Sequence, residues 1–179
     1  VLHRPDAAED AAIVVTTTAT GLFAYPLAGL AGWGAVTNRR RWVGSLAAVS
    51  ALAMIQFIRI ALAVAIGRAR PPIADWAWHA GGPAMPSGHA TTSAFVAVLI
   101  TYGCGRRWPQ HRGAIGVACA VWAVAVGVSR VYLGVHWPTD VVAGWLLAVV
   151  LAAVMSVALN TAARRSASTH VDGARTDVR

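Results

Sequence analysis

The stretch Ser129-Arg130-Val131-Tyr132-Leu133-Gly134-Val135-His136-Trp137-Pro138-Thr139-Asp140 ends one long apolar run and opens another. A polar segment between two such runs reads as a turn at a membrane surface. Pro138 suits the first turn of the following helix, where its missing N–H costs nothing. His136 and Asp140 are then four residues apart at the start of that helix, close enough for the carboxylate to hold one imidazole nitrogen. The other nitrogen is left as nucleophile or base, with its tautomer set by Asp140. Arg130 adds a permanent, forked cation suited to a phosphate. The pattern describes an anion site with an oriented histidine. A bare helix N-terminus with a carboxylate on its dipole would give the same spacing without any chemistry.

Around this stretch lies a chain of 179 residues, 57% hydrophobic and only 12% charged. A soluble domain carries roughly 25% charged residues, and here the apolar residues come in runs. The expectation is an all-α, polytopic membrane helix bundle. The net charge of +8 comes from arginines gathered between the apolar runs; lysine is absent. No basic stripe carries interleaved aromatics, so nucleic acid is not an expected partner. Cys104 and Cys119 lack metal-site spacing and read as small apolar residues.

Working outward, residues 1–10 are polar and net negative, whereas a signal peptide opens on positive charge, so no cleaved signal is expected. Five apolar spans follow at 11–36, 42–66, 87–105, 113–128 and 137–163. Each approximates the ~20 residues a membrane helix needs, the third and fourth being shortest. Residues 11–163 thus make the expected transmembrane domain, and 164–179 a polar tail expected to be disordered. Alternating loops place Arg39, Arg40, Arg41, Arg106, Arg107 and Arg112 on the same side as the tail. The positive-inside rule makes that side cytoplasmic. The site then faces the periplasmic or extracellular side of the cell membrane. Tryptophans in the 67–86 loop, Trp76 and Trp78, read as interfacial anchors.

Three separated segments converge on that outer end: Gly67-Arg68-Ala69-Arg70-Pro71, Pro86-Ser87-Gly88-His89, and the stretch quoted above. Ser87 is a good helix N-cap, and the backbone at Ser87, Gly88 and His89 would present free N–H groups to an anion. Gly88 permits close approach of a phosphate. His89, in the first helical turn, can protonate a leaving oxygen. Singly, these are a capped helix, a proline turn and snorkelling arginines. Together they describe a phosphate cradle with a nucleophile and an acid.

In these residues the chain resembles the type 2 phosphatidic acid phosphatase superfamily, membrane lipid phosphatases that share an active-site plan with the vanadium haloperoxidases. That family's motifs are Lys-x6-Arg-Pro, Pro-Ser-Gly-His and Ser-Arg-x5-His-x3-Asp. The second matches at 86–89 and the third at 129–140; the first matches only at Arg70-Pro71. The resemblance implies that His136 forms a phosphohistidine, Asp140 orients it, and His89 protonates the leaving group. It further implies that Arg70, Arg130, Ser87 and the Gly88 N–H hold the phosphate oxygens, with no metal or other cofactor.

Two departures stand out. The motif lysine is replaced by Ala63, for which Arg59, one helical turn deeper, and Arg68 are the candidate substitutes. An arginine inside a span is costly, which favours a functional or paired role for Arg59. Bacterial members usually have six spans, against five here. The leading expectation is a phosphatase acting on a membrane lipid phosphate. Its substrates would be a polyprenyl phosphate or diphosphate, a phosphorylated polyprenyl sugar, phosphatidylglycerol phosphate or phosphatidic acid. The alternative is a phospholipid-binding or transport protein on the same scaffold, weakened by the lost lysine. A haloperoxidase is a distant third, because those enzymes are soluble.

Overall fold

The computed structural model describes residues 4–176, with side chains described for residues 4–161. Six α-helices follow one another: α1 (Asp6–Thr17), α2 (Gly21–Ala35), α3 (Arg41–Ile66), α4 (Gly88–Arg107), α5 (Arg112–Tyr132) and α6 (Pro138–Thr176). Single 3-10 turns precede α4 at Ile73–Asp75 and α5 at Pro109–His111. The chain divides into two units, Val1–Val149 and Val150–Arg179. The second is helical as far as Thr176, and it exposes Val154, Val157 and Leu159. The side chains of the tail expected to be disordered, and all of 177–179, lie outside the described residues.

Three stretches among the described residues are long and apolar enough to cross a membrane: Arg41–Ile66, Pro109–Tyr132 and Pro138–Thr161. Helices α1 and α2 pass the same test only as a pair, bent by 48° at the break between them, as a broken span or a re-entrant loop would be. The span expected at 11–36 is therefore broken. Thr17, Thr18 and Thr20 each turn their hydroxyl onto a carbonyl three or four residues back, which competes with regular helix and ends α1.

Helix α4, on the third expected span, is built by a different logic. It is too polar to qualify by hydropathy, yet Ala90 to Ala97 are buried without interruption. It sits at the centre of the first unit, packed against α2, α3 and α5. Its hydroxyls are spent internally: Thr91 donates to Ser87 O at 2.8 Å, Thr92 to Gly88 O at 2.8 Å and Thr101 to Ala97 O at 2.8 Å. No polar hydrogen of these side chains meets lipid unpaired, so threonine is tolerated at membrane depth. Helix α3 does the reverse, with a narrow buried seam of Ala48, Leu52, Ile55 and Ala63 and exposed Met54, Phe57 and Ile60. Arg59 falls on that seam, four residues from both Ile55 and Ala63. Small residues bring helices close: a Cβ on Gly32 would strike the Gly44 carbonyl, which locks α2 to α3.

The opening stretch is less of a turn than its sequence implies. Ser129, Arg130 and Tyr132 belong to the last turn of α5, and only 133–137 lies between helices. Nothing in 129–132 opposes a helix. The first residue that does is Gly134, at φ +73, where a Cβ would also strike the Asp75 carbonyl. Pro138 then opens α6 as its N1 residue.

Candidate active site

The turn at 133–137 and the loop at 67–86 are stitched together by backbone bonds. Ala77 N–H donates to Leu133 O at 3.0 Å, and Ser87 N–H donates to Asp140 O at 2.9 Å. Trp76 and Trp78, expected as interfacial anchors, are partly buried and pack on the cluster of Ala12, Leu133 and Val135. Arg4 adds a tie from the start of the chain, donating to Tyr132 O at 2.6 Å and Asp75 O at 2.8 Å.

Asp140 is fully buried at the third position of α6. Its Oδ2 accepts the Trp137 N–H at 2.9 Å, satisfying a donor the helix start would otherwise leave free, and lies 3.4 Å from His136 Nδ1. Its Oδ1 lies 3.1 Å from Arg68 Nη1. His136, 4% exposed, has its Nε2 at 3.1 Å from Arg70 Nη1. A guanidinium can only donate. Nε2 is therefore the lone-pair nitrogen, and the proton sits on Nδ1, facing Asp140. Burial first, then the charges of Arg70 and Arg130, pushes His136 down to about 3, so the ring is neutral in the resting site.

A cavity of ≈380 Å³ opens in front of this pair, lined by His136, His89, Gly88, Arg59, Arg70 and Arg130, together with Gln56, Thr92, Thr20 and Gly21. Residues far apart in sequence thus meet in one place. The arginines differ in what they have left to offer. Arg70 donates to Gly82 O at 2.9 Å, Gly81 O at 2.8 Å and Val135 O at 2.8 Å, so its fork is largely committed to backbone. Arg130, 2% exposed, reaches Thr16 Oγ1 at 3.2 Å, while its Nε has no partner among the described residues. Arg59 lays its guanidinium against Gly88, close enough that a Cβ there would sit 3.4 Å from Cζ. Its buried Nε is also without a described partner.

Two expected residues stand elsewhere. Arg68 is not on the cavity; it donates to Thr139 Oγ1 at 2.7 Å and neutralises Asp140 from behind. A buried carboxylate demands such a partner more strongly than an open cavity does. Ser87 is the N-cap of α4, but its Oγ makes no capping bond and is buried away from the cavity, with no partner among the described residues. Cavity-lining Gln56 and Thr92 were missed in the sequence. The available signal was Gln56 itself, a polar residue one turn from Arg59 in an otherwise apolar run.

Residues 42–164 match the family model of the PAP2 superfamily. The chain is 33% identical over 140 residues to phosphatidylglycerophosphatase B of Bacillus subtilis, covering 76% of this chain and 68% of that protein. It is 39% identical over 90 residues to lipid A 1-phosphatase of Rhizobium johnstonii, covering 45% of this chain and 33% of that protein. The fold superposes on the crystal structure of a transmembrane PAP2 type phosphatidylglycerolphosphate phosphatase from Bacillus subtilis with a TM-score of 0.74 and 29% identity. That match covers 87% of this chain and 80% of the other.

Proposed function

The chain belongs to the PAP2 superfamily and is a multi-pass membrane protein, and from that premise we propose that it hydrolyses a membrane lipid phosphate through a phosphohistidine. His136 Nε2 attacks phosphorus in line with the leaving oxygen. As the N–P bond forms the P–O bond breaks, and His89, which takes up a proton when the phosphate anion offsets the arginine charges, gives that proton to the departing alcohol. Water, deprotonated by His89, then attacks the phosphohistidine. That step releases inorganic phosphate and restores His136. Asp140 stabilises the imidazole through Nδ1, and Arg59, Arg130 and the Gly88 N–H hold the phosphoryl oxygens. Arg70 contributes charge beside the nucleophile.

The observation that carries this reading is the tautomer. A neutral imidazole with Nδ1 3.4 Å from Asp140 Oδ2 and Nε2 held at 3.1 Å by Arg70 Nη1 is an oriented nucleophile whose lone pair is freed when a phosphate draws the Arg70 N–H away. The cradle is made of arginines and backbone, which supports turnover without a metal ion. Lipid phosphates of the glycerophospholipid, lipid A and polyprenyl kinds are the substrate classes in view, from the outer face that the loop charges favour. The test is release of inorganic phosphate from a panel of lipid phosphates by purified protein in excess chelator, with vanadate as inhibitor. His136→Ala should abolish release while the protein still elutes as a folded, monodisperse species. Activity near wild type in that variant, or activity lost to chelator and restored by magnesium, overturns the mechanism.

A further inference from the structure

Below the phosphoryl cradle, one turn further into the bundle, two more polar side chains line the cavity, Gln56 and Thr92. Gln56 lies one turn before Arg59 on α3, and Thr92 one turn after His89 on α4, a step of about 4.5 Å along each helix. Gln56 Nε2 and Thr92 Oγ1 are 2.5 Å apart. The Thr92 hydroxyl already gives its only hydrogen to Gly88 O at 2.8 Å. Thr92 must therefore accept from Gln56, which fixes the amide with its NH2 towards Thr92. The oxygen, Oε1, is then left over. It is buried, without a partner among the described residues, on a side chain that lines the cavity. A buried carbonyl in this state calls for a hydrogen donor.

The reaction geometry says what arrives there. In-line attack by His136 puts the leaving oxygen on the far side of phosphorus, beside His89. An alcohol that carries the lipid chain and runs inward along α3 and α4 keeps that chain at the depth of the bundle, and that is the path proposed for it. Its first carbons therefore pass Gln56 and Thr92. Resting on the phosphatase reading above, we infer that Gln56 selects substrates whose leaving alcohol bears a free hydroxyl on the carbon next to the phosphorylated one, as in a glycerol-type head group. Leaving groups without a donor at that position would strand Oε1 against carbon, and discrimination against them follows.

Two synthetic lipids isolate the effect: 2-hydroxyhexadecyl phosphate and hexadecyl phosphate, assayed for phosphate release with the full chain in detergent. Wild type should favour the hydroxylated lipid in kcat/KM by about tenfold or more, the scale of one stranded buried acceptor. Gln56→Met, of similar shape without the acceptor, should bring the ratio towards one. Thr92→Val, which frees the amide to rotate, should lower the ratio in the same direction. Because the readout is a ratio, a general loss of activity in either variant does not imitate the result. Equal turnover of the two lipids by wild type overturns the role of Gln56 and leaves the phosphatase reading standing, as does a preference that survives in Gln56→Met. No release from either lipid overturns both.

Discussion

The arginines of the loops and the arginines of the helices have opposite fates in this protein. Arg68 and Arg70, on the segment after α3, spend their N–H groups on Asp140, Thr139 and the carbonyls of Gly81, Gly82 and Val135. Arg59 and Arg130, inside α3 and α5, each keep a buried Nε without a partner among the described residues. The cause is backbone supply. A loop leaves carbonyls unpaired and an arginine nearby fills them, whereas a helix interior has already paired its own. Loop arginines become architecture, and helix arginines keep donors for a ligand. The motif spacing of the sequence treats Arg68 and Arg59 as equivalent candidates, so the distinction belongs to the tertiary structure.

Four measurements would break or sharpen that division. The largest effect is expected at Arg130, a nearly buried side chain that lines the cavity and whose Nε has no partner among the described residues. Arg130→Ala should lower kcat/KM by about 10³-fold, as loss of a preorganised donor to a transition state does. Steady-state phosphate release checks it, and a loss under tenfold would move Arg130 to the architectural group.

Arg59 comes next. Arg59→Ala should lose roughly 10²-fold in kcat/KM. Adding Ala63→Lys, which restores the family's motif lysine, should recover part of that loss. Full activity in Arg59→Ala would mean that the cradle manages with one cation fewer.

A smaller effect is expected where the arginine acts through another residue. Arg68→Ala leaves Asp140 with one partner fewer, so kcat should fall by about tenfold with KM little changed. Arg68→Lys, which keeps the charge, should restore much of it. An Arg68→Ala loss as large as that of Arg59→Ala, and expressed in KM, would erase the comparison.

The smallest effect concerns stability. His136 is held at about 3 in the folded protein, below its ordinary 6.5. As pH falls through 6.5 the unfolded chain takes up this proton first, so stability is lost from there down towards 3. His136→Gln cannot take the proton, and its Tm in detergent should fall less than that of wild type across this window. Parallel Tm curves would show that the fold does not hold His136 neutral.

By itself the sequence determined the apolar runs at α3, α5 and α6 and the start of α6 at Pro138, which sets His136 and Asp140 four residues apart around that helix start. These are readable because hydropathy, helix periodicity and proline's missing N–H act over a few neighbouring residues. It could not decide that α4, the most polar of the spans, lies at the centre, because burial by protein rather than lipid is set by α2, α3 and α5 together. Nor could it separate Arg59 from Arg68, release the hydroxyl of Ser87 from its capping role, or bring Gln56 to the cavity. Where a polar hydrogen goes depends on acceptors supplied by segments remote in sequence, and those come within reach only when the helices have packed.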